Sequence, residues 1–436
     1  MQPWTGEPGT SGTVAVVGAG KMGLPLAAQY ASHGWRVIAQ DIDRGVVDSI
    51  NAGRSHVDEP GLDAIVADAT ASGRLRATLD GQAAAAEADV VVLIVPIKLD
   101  DAHGPDFALM DAAVGSIAGG LHEGTTVIFE TTLPVGATRD RYGPRLAAGG
   151  LELERDLFVA FSPERLYSGV VLANLSMYPK LVGGLGEVST ARAAAFYESV
   201  LDAEIVAMSS AEAAEMAKLA ETTYRDVNIA LANEFASFAA DAGLDVREVI
   251  AAANSQPYSH VHQPGLGVGG HCIPVYPHFL LAGAGSLPLV ALARSINDGQ
   301  VQLAVNAIRR ELGGLQGQPV LVLGLTYRAG VKELAYSQGP ELVRRLAALG
   351  AAVHAYDPLL SDDEIRALGA TPWAWGTSLG ARAIVTQTND ARWSELDPGW
   401  FADLRLIFDG RNSLVDIALP PGVAYVGVGV PRRAGR

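Results

Sequence analysis

Short apolar runs, each ending in a glycine-rich or polar turn, recur along the first half of the chain. They occupy Thr13–Val17, Arg36–Gln40, 89–95, 125–129 and 157–161. Alanine-rich segments with helical spacing separate several of the runs. Strands that alternate with helices in this way predict a parallel sheet covered by helices, which is the α/β class.

The same alternation returns near the end of the chain. Its apolar runs occupy Pro319–Leu323, Ala352–Tyr356, Ala383–Thr386 and 404–408. This second α/β unit lacks a G-x-G-x-x-G fingerprint after its first strand. We therefore expect two Rossmann-like, doubly wound domains joined by a long central helix, the second suited to another nucleotide-like ligand.

The long central helix is predicted from a capping box, Ser209 with Glu212, to a stop signal at Gly243. Apolar residues recur between them at helical spacing, at Met216, Leu219, Val227, Leu231 and Phe235. A helix of this length is typical of a segment that joins two domains and pairs across a dimer. The predicted domains are 1–207 for the first α/β unit, 208–300 for the central helical region with the cysteine loop, and 301–436 for the second α/β unit.

The polar side of this helix carries Lys218, Thr222 and Arg225 at spacings that place all three on one face. A charged stripe is usually a solvated face. These residues are nevertheless the only candidates near the middle of the chain for a general base or an anion clamp.

The turn after the first strand reads GAGKMG over residues 18–23, and Asp41 ends the next strand. Glycines in this pattern let a pyrophosphate approach the backbone at a helix N-terminus, and the acidic residue binds a ribose diol and repels a 2′-phosphate. NAD is therefore favoured over NADP. The predicted cofactor contacts are Gly18, Gly20, Lys21, Met22, Gly23, Asp41, and the strand-end residues Val95 and Thr132.

Charge and composition narrow the function classes. The chain has 48 acidic and 32 basic residues and a net charge of -16, which disfavours nucleic acid and anionic membranes as partners. A phosphate therefore needs a local positive site. A single cysteine excludes an internal disulfide, and without an N-terminal leader or an apolar run of about 18 residues we expect a cytoplasmic protein. No metal is expected.

The single cysteine, Cys272, lies in the segment 267–279, after three glycines and before two prolines. Glycines allow a backbone to come close to a ligand, and the prolines stiffen the segment that holds the sulfur. Taken alone, a lone cysteine is more often a small buried hydrophobic residue than a nucleophile. The rest of the chain decides between the two.

Six motifs occur in order along the chain: GAGKMG at 18–23, ETTLPVG at 130–136, FSPER at 161–165, EMAKLAETTYRDVNIALANE at 215–234, GVGGHCIP at 267–274 and DGRN at 409–412. Together they resemble the UDP-glucose/GDP-mannose 6-dehydrogenase family. The residues within the motifs are most similar to those of the branch acting on UDP-N-acetylhexosamines. The resemblance implies oxidation of the C6 hydroxyl of a UDP-sugar to a carboxylate with two NAD, in a homodimer paired through the central helix. It assigns domain 1–207 to NAD and domain 301–436 to the UDP-sugar, and it places the active site in the cleft between the two lobes.

The resemblance also implies roles for individual residues. Cys272 is the nucleophile that captures the aldehyde as a thiohemiacetal and carries the thioester that water hydrolyses. Lys218 exchanges the alcohol proton and steadies an oxyanion, while Thr132 and Glu164 hold the attacking water. The implied substrate contacts are Glu164, Arg165, Lys218, Arg225, Tyr258, His262, Gly269 and Arg328.

Departures from the family pattern lie beside these residues. Thr222 stands where the family usually has asparagine, and Tyr276 stands where it usually has aspartate. A phenol with a pKa near 10 cannot replace a carboxylate as a base at neutral pH. Tyr258 replaces an arginine that often reaches the neighbouring subunit's substrate, and Arg328 replaces a lysine. NAD binding and hydride transfer are therefore better supported than hydrolysis.

Several alternatives stay open at this point. The substrate is a UDP-N-acetylhexosamine or UDP-glucose, and oxidation ends at the acid or at the aldehyde. A two-electron hydroxyacid dehydrogenase also uses a dinucleotide domain, a long helix and a lysine. A nucleotide-binding scaffold without catalysis is the non-enzyme alternative.

Overall fold

A computed structural model describes residues 4, 11–165, 171–175, 177–283 and 285–436. The chain divides into two compact units, Met1–Glu221 with His278–Ala284, and Thr222–Pro277 with Gly285–Arg436. Among the residues described, no helix combines the length and the apolar character that crossing a bilayer requires.

The first unit is an α/β domain. Its strands are β1 (Thr13–Val17), β2 (Arg36–Gln40), β3 (Leu75–Thr78), β4 (Val90–Leu93), β5 (Lys98–Leu99), β6 (Pro105–Asp106), β7 (Thr126–Phe129), β8 (Phe158–Phe161), β9 (Lys180–Gly184) and β10 (Ile205–Ala207). Its helices are α1 (Gly23–Ser32), α2 (Arg44–Asn51), α3 (Leu62–Ala71), α4 (Gly81–Ala86), α5 (Ala108–Ala118), α6 (Gly143–Leu146), α7 (Val171–Asn174) and α8 (Glu187–Val200).

Eight of these strands form one sheet in the order β10-β9-β8-β7-β4-β1-β2-β3. All neighbours are parallel except β8 and β9, and β5 and β6 form a separate antiparallel hairpin. The predicted strands at Thr13–Val17 and Arg36–Gln40 are confirmed residue for residue. The predicted run at 89–95 is too long, because β4 pairs with β1 only as far as Leu93, opposite the last residue of β1.

The second unit repeats the architecture. It contains α10 (Val246–Ala253), α12 (Pro288–Leu312), α13 (Gln338–Ala348) and α14 (Asp362–Ala367). Two helices are divided between the units: α9 (Ala211–Ala242) belongs to the second unit from Thr222 onward, and α11 (Tyr276–Gly283) belongs to it only as far as Pro277. Its strands are β11 (Pro319–Leu323), β12 (Ala352–Tyr356), β13 (Thr371–Pro372), β14 (Ala383–Thr386), β15 (Leu406–Asp409), β16 (Ala424–Gly427) and β17 (Arg433–Ala434).

These strands form a sheet in the order β13-β12-β11-β14-β15-β16-β17, parallel except for the last pair. Alternate residues of β11 enter two different cores: Val320 and Val322 pack on one face, and Leu321 and Leu323 on the other. Because side chains alternate along a strand, both faces of the sheet are covered. The α/β class with two Rossmann-like domains is therefore confirmed.

Helix α9 starts one residue later than predicted. The Ser210 hydroxyl accepts the Ala213 N–H at 3.2 Å, and the helix runs Ala211–Ala242. The capping box predicted at Ser209 is wrong, because Glu212 pairs with Arg139 instead.

The burial of α9 is the reverse of that of an ordinary surface helix. The polar stripe predicted to be solvated is largely inside: Lys218 is 6% exposed and Thr222 2%. A set of large apolar residues in the part of α9 that belongs to the second unit is exposed instead: Tyr224, Leu231, Phe235 and Phe238. An apolar stripe left open in this way is typical of a surface that another protein covers.

Candidate active site

The turn after β1 has the backbone of a dinucleotide site. Gly18 has φ +96°, and its N–H donates to the Gln40 carbonyl at 2.8 Å. A Cβ on Gly23 would stand 1.8 Å from the Gly18 carbonyl oxygen, whereas a Cβ on Gly20 would meet nothing within 4 Å. The chain itself therefore requires glycine at 18 and 23, while Gly20 leaves the backbone open to a bound pyrophosphate.

Asp41 lies beside this turn at the end of β2. Its Oδ2 accepts the Ala19 N–H at 2.9 Å, and its Oδ1 accepts the Asp43 N–H at 2.9 Å. The side chain is partly exposed, and each carboxylate oxygen has a second lone pair. Asp41 is thus fixed in place and still able to accept hydrogen bonds from a ribose diol.

The remaining predicted cofactor residues border the same strand ends. Val95 follows β4, and its Cγ2 lies 3.3 Å from the position of a Cβ on Gly18. Lys21 and Met22 are the last residues before α1. These residues fit NAD: the glycine turn would hold the pyrophosphate and Asp41 the ribose.

The second unit contains the same turn in a form that the sequence hides. Gly324, after β11, has φ +87°, and its N–H donates to the Tyr356 carbonyl at 2.8 Å. A Cβ on Gly339 would stand 2.6 Å from the Leu325 Cα. Asp357 follows β12 directly and accepts the Leu325 N–H at 2.7 Å. The glycine pattern escapes a motif search because a long loop separates Gly324 from Gly339.

Two loops of the first unit leave the same edge of its sheet, because β7 and β8 are parallel neighbours. The Glu164 N–H donates to the Glu130 carbonyl at 3.0 Å, and Thr132 is only 4% exposed. Arg165 donates through Nε to Glu221 of α9 at 2.9 Å. The alternative of a solvated Glu164–Arg165 surface pair is therefore wrong.

The α9 segment that carries Lys218 is tied to both loops. Glu215 accepts the Gly136 N–H at 2.6 Å, the Thr138 N–H at 2.9 Å and the Thr138 hydroxyl at 2.6 Å. Burial raises the pKa of Glu215 to about 7. One turn beyond Lys218, Glu221 receives the arginine of the second loop. Lys218 thus lies between two fixed points of the helix.

The cysteine loop belongs to the second unit. Cys272 is a half-buried free thiol, and its carbonyl accepts the Tyr276 N–H at 3.0 Å where α11 begins. A Cβ on Gly269 would stand 2.8 Å from the Tyr327 Cβ, and one on Gly270 would stand 3.0 Å from the Tyr327 ring. These two glycines let the loop pack against the segment after β11, a reason that the sequence does not reveal.

Two asparagines of α9 hold the chain that leads to this loop. Asn228 donates to the His260 carbonyl at 2.7 Å and accepts the His262 N–H at 2.9 Å. Asn233 accepts the Gly265 N–H at 2.9 Å. Both belong to the VNIALANE motif, but no role for them follows from the motif alone.

A cavity of about 490 Å³ in the second unit borders the cysteine loop. Of the described residues, four arginines and no carboxylate line it: Arg225, Arg247, Arg328 and Arg411. In a chain with a net charge of -16, this is the local positive site that a diphosphate needs. The sequence predicted Arg225, Gly269 and Arg328 as contacts, whereas Arg247 and Arg411 were missed.

Arg411 joins the cavity to the cysteine loop. Its Nε donates to the Gln387 carbonyl at 2.9 Å, and its Nη2 donates to the Gly267 carbonyl at 3.1 Å. Burial lowers the pKa of Arg411 to about 10, which still leaves it charged at neutral pH. Since both of its acceptors among the described residues are neutral carbonyls, the full positive charge is available to an anionic ligand.

Other predicted residues lie outside the cavity lining. Tyr258 is 91% exposed, and its N–H donates to the Gln256 side chain at 2.9 Å. His262 packs edge-on to the Tyr224 ring, and burial, together with the charge of Arg225, lowers its pKa. Thr222 and Tyr276 belong to the second unit, and Lys218, Thr132 and Glu164 belong to the first.

The two Rossmann-like units, one with a dinucleotide turn and one with an arginine-lined cavity beside a cysteine loop, define a nucleotide-dependent dehydrogenase. Family models match the whole of this arrangement: a UDP-glucose/GDP-mannose dehydrogenase NAD binding domain at 12–201, a central domain at 212–299 and a UDP binding domain at 321–416. The chain belongs to the UDP-glucose/GDP-mannose dehydrogenase family. It is an NAD-dependent nucleotide-sugar dehydrogenase that oxidises a UDP-sugar, so the hydroxyacid dehydrogenase alternative is wrong.

Relatives from bacteria and archaea extend the match. The UDP-N-acetyl-D-mannosamine dehydrogenase of Salmonella typhi is 36% identical over 82% of this chain and 86% of its own. The solved UDP-D-ManNAc dehydrogenase of Pyrococcus horikoshii has a TM-score of 0.85 and 32% identity, covering 96% of this chain and 99% of its own. A UDP-glucose dehydrogenase of Pyrobaculum islandicum has a TM-score of 0.85 and 26% identity, covering 97% and 98%.

Proposed function

We propose that the enzyme oxidises the C6 hydroxyl of a UDP-N-acetylhexosamine to the uronic acid through Cys272. The observation that carries the proposal is the arginine-lined cavity, whose lining includes Gly267, Gly269 and Ile273 of the cysteine loop. A diphosphate held by the arginines brings its sugar to the segment that presents the thiol. The UDP-N-acetyl-D-mannosamine dehydrogenases among the relatives support an N-acetylated hexose over glucose.

In this proposal the chain supplies binding, proton transfer and a covalent carrier. NAD, when bound, takes up hydride from the sugar. Lys218 accepts the proton of the C6 hydroxyl, and the Cys272 sulfur adds to the aldehyde carbon and later holds the acyl group as a thioester. Thr132 and Glu164 direct the water that hydrolyses it. The remaining expected contacts are Thr222, Tyr276, Arg165, Tyr258 and His262.

We further propose a cytoplasmic homodimer formed through α9. The exposed apolar residues of that helix give the dimer its physical reason, since Phe238 is 71% exposed and Tyr224 54%. Covering such side chains stabilises association by about 25 cal/mol for each Å² of apolar surface removed from water.

The test is the number of NADH formed per sugar in a panel of UDP-hexoses. Two NADH with a UDP-N-acetylhexosamine as the best substrate supports the proposal, and two NADH with UDP-glucose as the best supports the glucose alternative. One NADH shows that oxidation ends at the aldehyde. Cys272→Ala is expected to abolish acid formation. No NADH with any UDP-hexose would contradict the proposal and favour the scaffold alternative.

A further inference from the structure

A buried group of charges lies behind Glu164 in the first unit. Three strands supply it: Glu130 follows β7, Glu164 follows β8, and Lys180 begins β9. The Lys180 ammonium is 3.2 Å from Glu130 Oε1 and 3.5 Å from Glu164 Oε2. One lysine, whose side chain is 9% exposed, therefore forms ion pairs with two carboxylates.

The two carboxylates are in different surroundings. Glu130 is fully buried; its Oε1 accepts hydroxyls from Tyr30 at 3.0 Å and from Tyr197, and its buried Oε2 has no hydrogen-bond partner among the described residues. Burial raises the pKa of Glu130, although the charge of Lys180 opposes this. Burial alone would lower the pKa of Lys180, but the two carboxylates raise it.

Glu164 is the carboxylate of the group that borders a cavity. Its side chain is 12% exposed, and a cavity of about 20 Å³ borders it together with Lys180, Arg165 and Asn174. That volume holds one water molecule beside several polar groups. The Arg165 N–H also donates to Glu164 Oε1 at 2.6 Å, which fixes the carboxylate.

The need for such a carboxylate follows from the cysteine loop. Tyr276 stands four residues after Cys272, and a phenol is not a base at neutral pH. In the hydrolysis step the water oxygen bonds to the acyl carbon, the carbon–sulfur bond breaks with its electron pair returning to sulfur, and one water proton must be accepted. Among the residues assigned to the water, Glu164 is the carboxylate.

We propose that Lys180 is a positioning residue for hydrolysis: its ammonium holds Glu164 as a carboxylate able to accept the proton of water, and Glu130 limits how strongly it does so. The inference rests on the proposed function. Among the described residues, the titratable and charged groups that face the three are Tyr30 of α1, Tyr197 of α8, Tyr178, and Arg165 with its partner Glu221 of α9.

The test compares pH profiles of acid formation in three variants. The acid limb is the low-pH side of the profile, where the rate rises with pH. In Lys180→Met this limb moves to higher pH by about 1–3 units, because a carboxylate that loses a neighbouring cation binds its proton more tightly. Lys180→Arg restores the limb toward wild type. In Glu130→Gln the limb moves to lower pH, because Glu164 is then the only carboxylate of the group that pairs with Lys180. A lysine with a merely structural role would lower stability and leave every limb in place.

The matched control is Arg192→Met, which removes another part-buried cation of the first unit. Arg192 donates to Thr126 and to the Gly124 carbonyl at the start of β7, so its loss changes stability without moving the acid limb. Unshifted limbs in both Lys180→Met and Glu130→Gln, or shifts in the same direction, would overturn the proposal.

Infrared spectra of the resting enzyme separate this proposal from the proposed function. In a difference spectrum against wild type, which cancels the bands of other carboxyls such as Glu215, Lys180→Met is expected to gain a protonated carboxyl band at neutral pH, and the part of this band that Glu164 contributes is lost when Glu164→Gln is added. This readout needs no turnover. If no UDP-hexose yields NADH, the band still decides the role of Lys180, and its absence would refute that role.

Discussion

Glu215 gives the sharpest quantitative prediction. It is fully buried, and burial raises its folded-state pKa to about 7. The stability that this carboxyl contributes is present below its unfolded pKa of about 4.5 and is lost as the pH rises through about 7. Since one pKa unit is about 1.4 kcal/mol, the loss between about pH 5 and about pH 8 amounts to about 2.5 kcal/mol.

Glu215→Gln removes this titration, because an amide stays neutral. We expect the free energy of unfolding of the variant, relative to wild type, to rise by about 2.5 kcal/mol between about pH 5 and about pH 8. Urea-induced unfolding of both proteins at each pH measures the change, and taking the difference cancels the groups they share.

Glu212→Gln is the matched control on the same helix. A hydrogen bond from Arg139 lowers the pKa of Glu212, so its stabilisation is lost only in acid, as the pH falls through that lowered value. The difference in the free energy of unfolding between Glu212→Gln and wild type is expected to stay constant between about pH 5 and about pH 8. A difference in the free energy of unfolding that does not change with pH for Glu215→Gln would refute the claim that burial is the main influence on the pKa of Glu215.

Three further outcomes follow from the geometry. Gly23→Ala should prevent folding of the first unit, whereas Gly20→Ala should leave its melting temperature unchanged and weaken NAD binding roughly tenfold in calorimetry; equal behaviour of the two would contradict the role of the turn. Arg411→Met should weaken UDP binding about 10–100-fold and reduce its salt dependence, because charged hydrogen bonds are lost. Phe238→Asp should give a monomer in sedimentation velocity, and an unchanged mass would argue against pairing through α9.

The sequence predicted most of the sheets because a buried parallel strand is a continuous apolar run between turns. Thr13–Val17 and Pro319–Leu323 needed no tertiary information. The predicted run at 404–408 was displaced relative to Leu406–Asp409, because Asp409, a polar residue, pairs within the ladder with Thr386. The dinucleotide turn was predictable for the same reason as the strands: its signal is local.

The rest of the site depends on contacts between distant segments. Lys180 and Glu130 meet only because β9 and β7 flank β8 in the sheet, and no spacing in the sequence indicates that order. Arg247 and Arg411 reach one cavity from α10 and from the loop after β15. The reversed burial of α9 escapes prediction for another reason, since a helical apolar pattern does not tell which face the rest of the chain covers.

The paired turns after β1 and β11 have a consequence for inhibition. Asp357 is 3% exposed, and its Oδ2 already accepts two backbone N–H groups and a hydroxyl, from Leu325 and Thr326. Asp41 instead stays open to solvent. A dinucleotide therefore finds a ribose acceptor in only one of the two related folds, and excess NAD should not compete with the nucleotide sugar for the other.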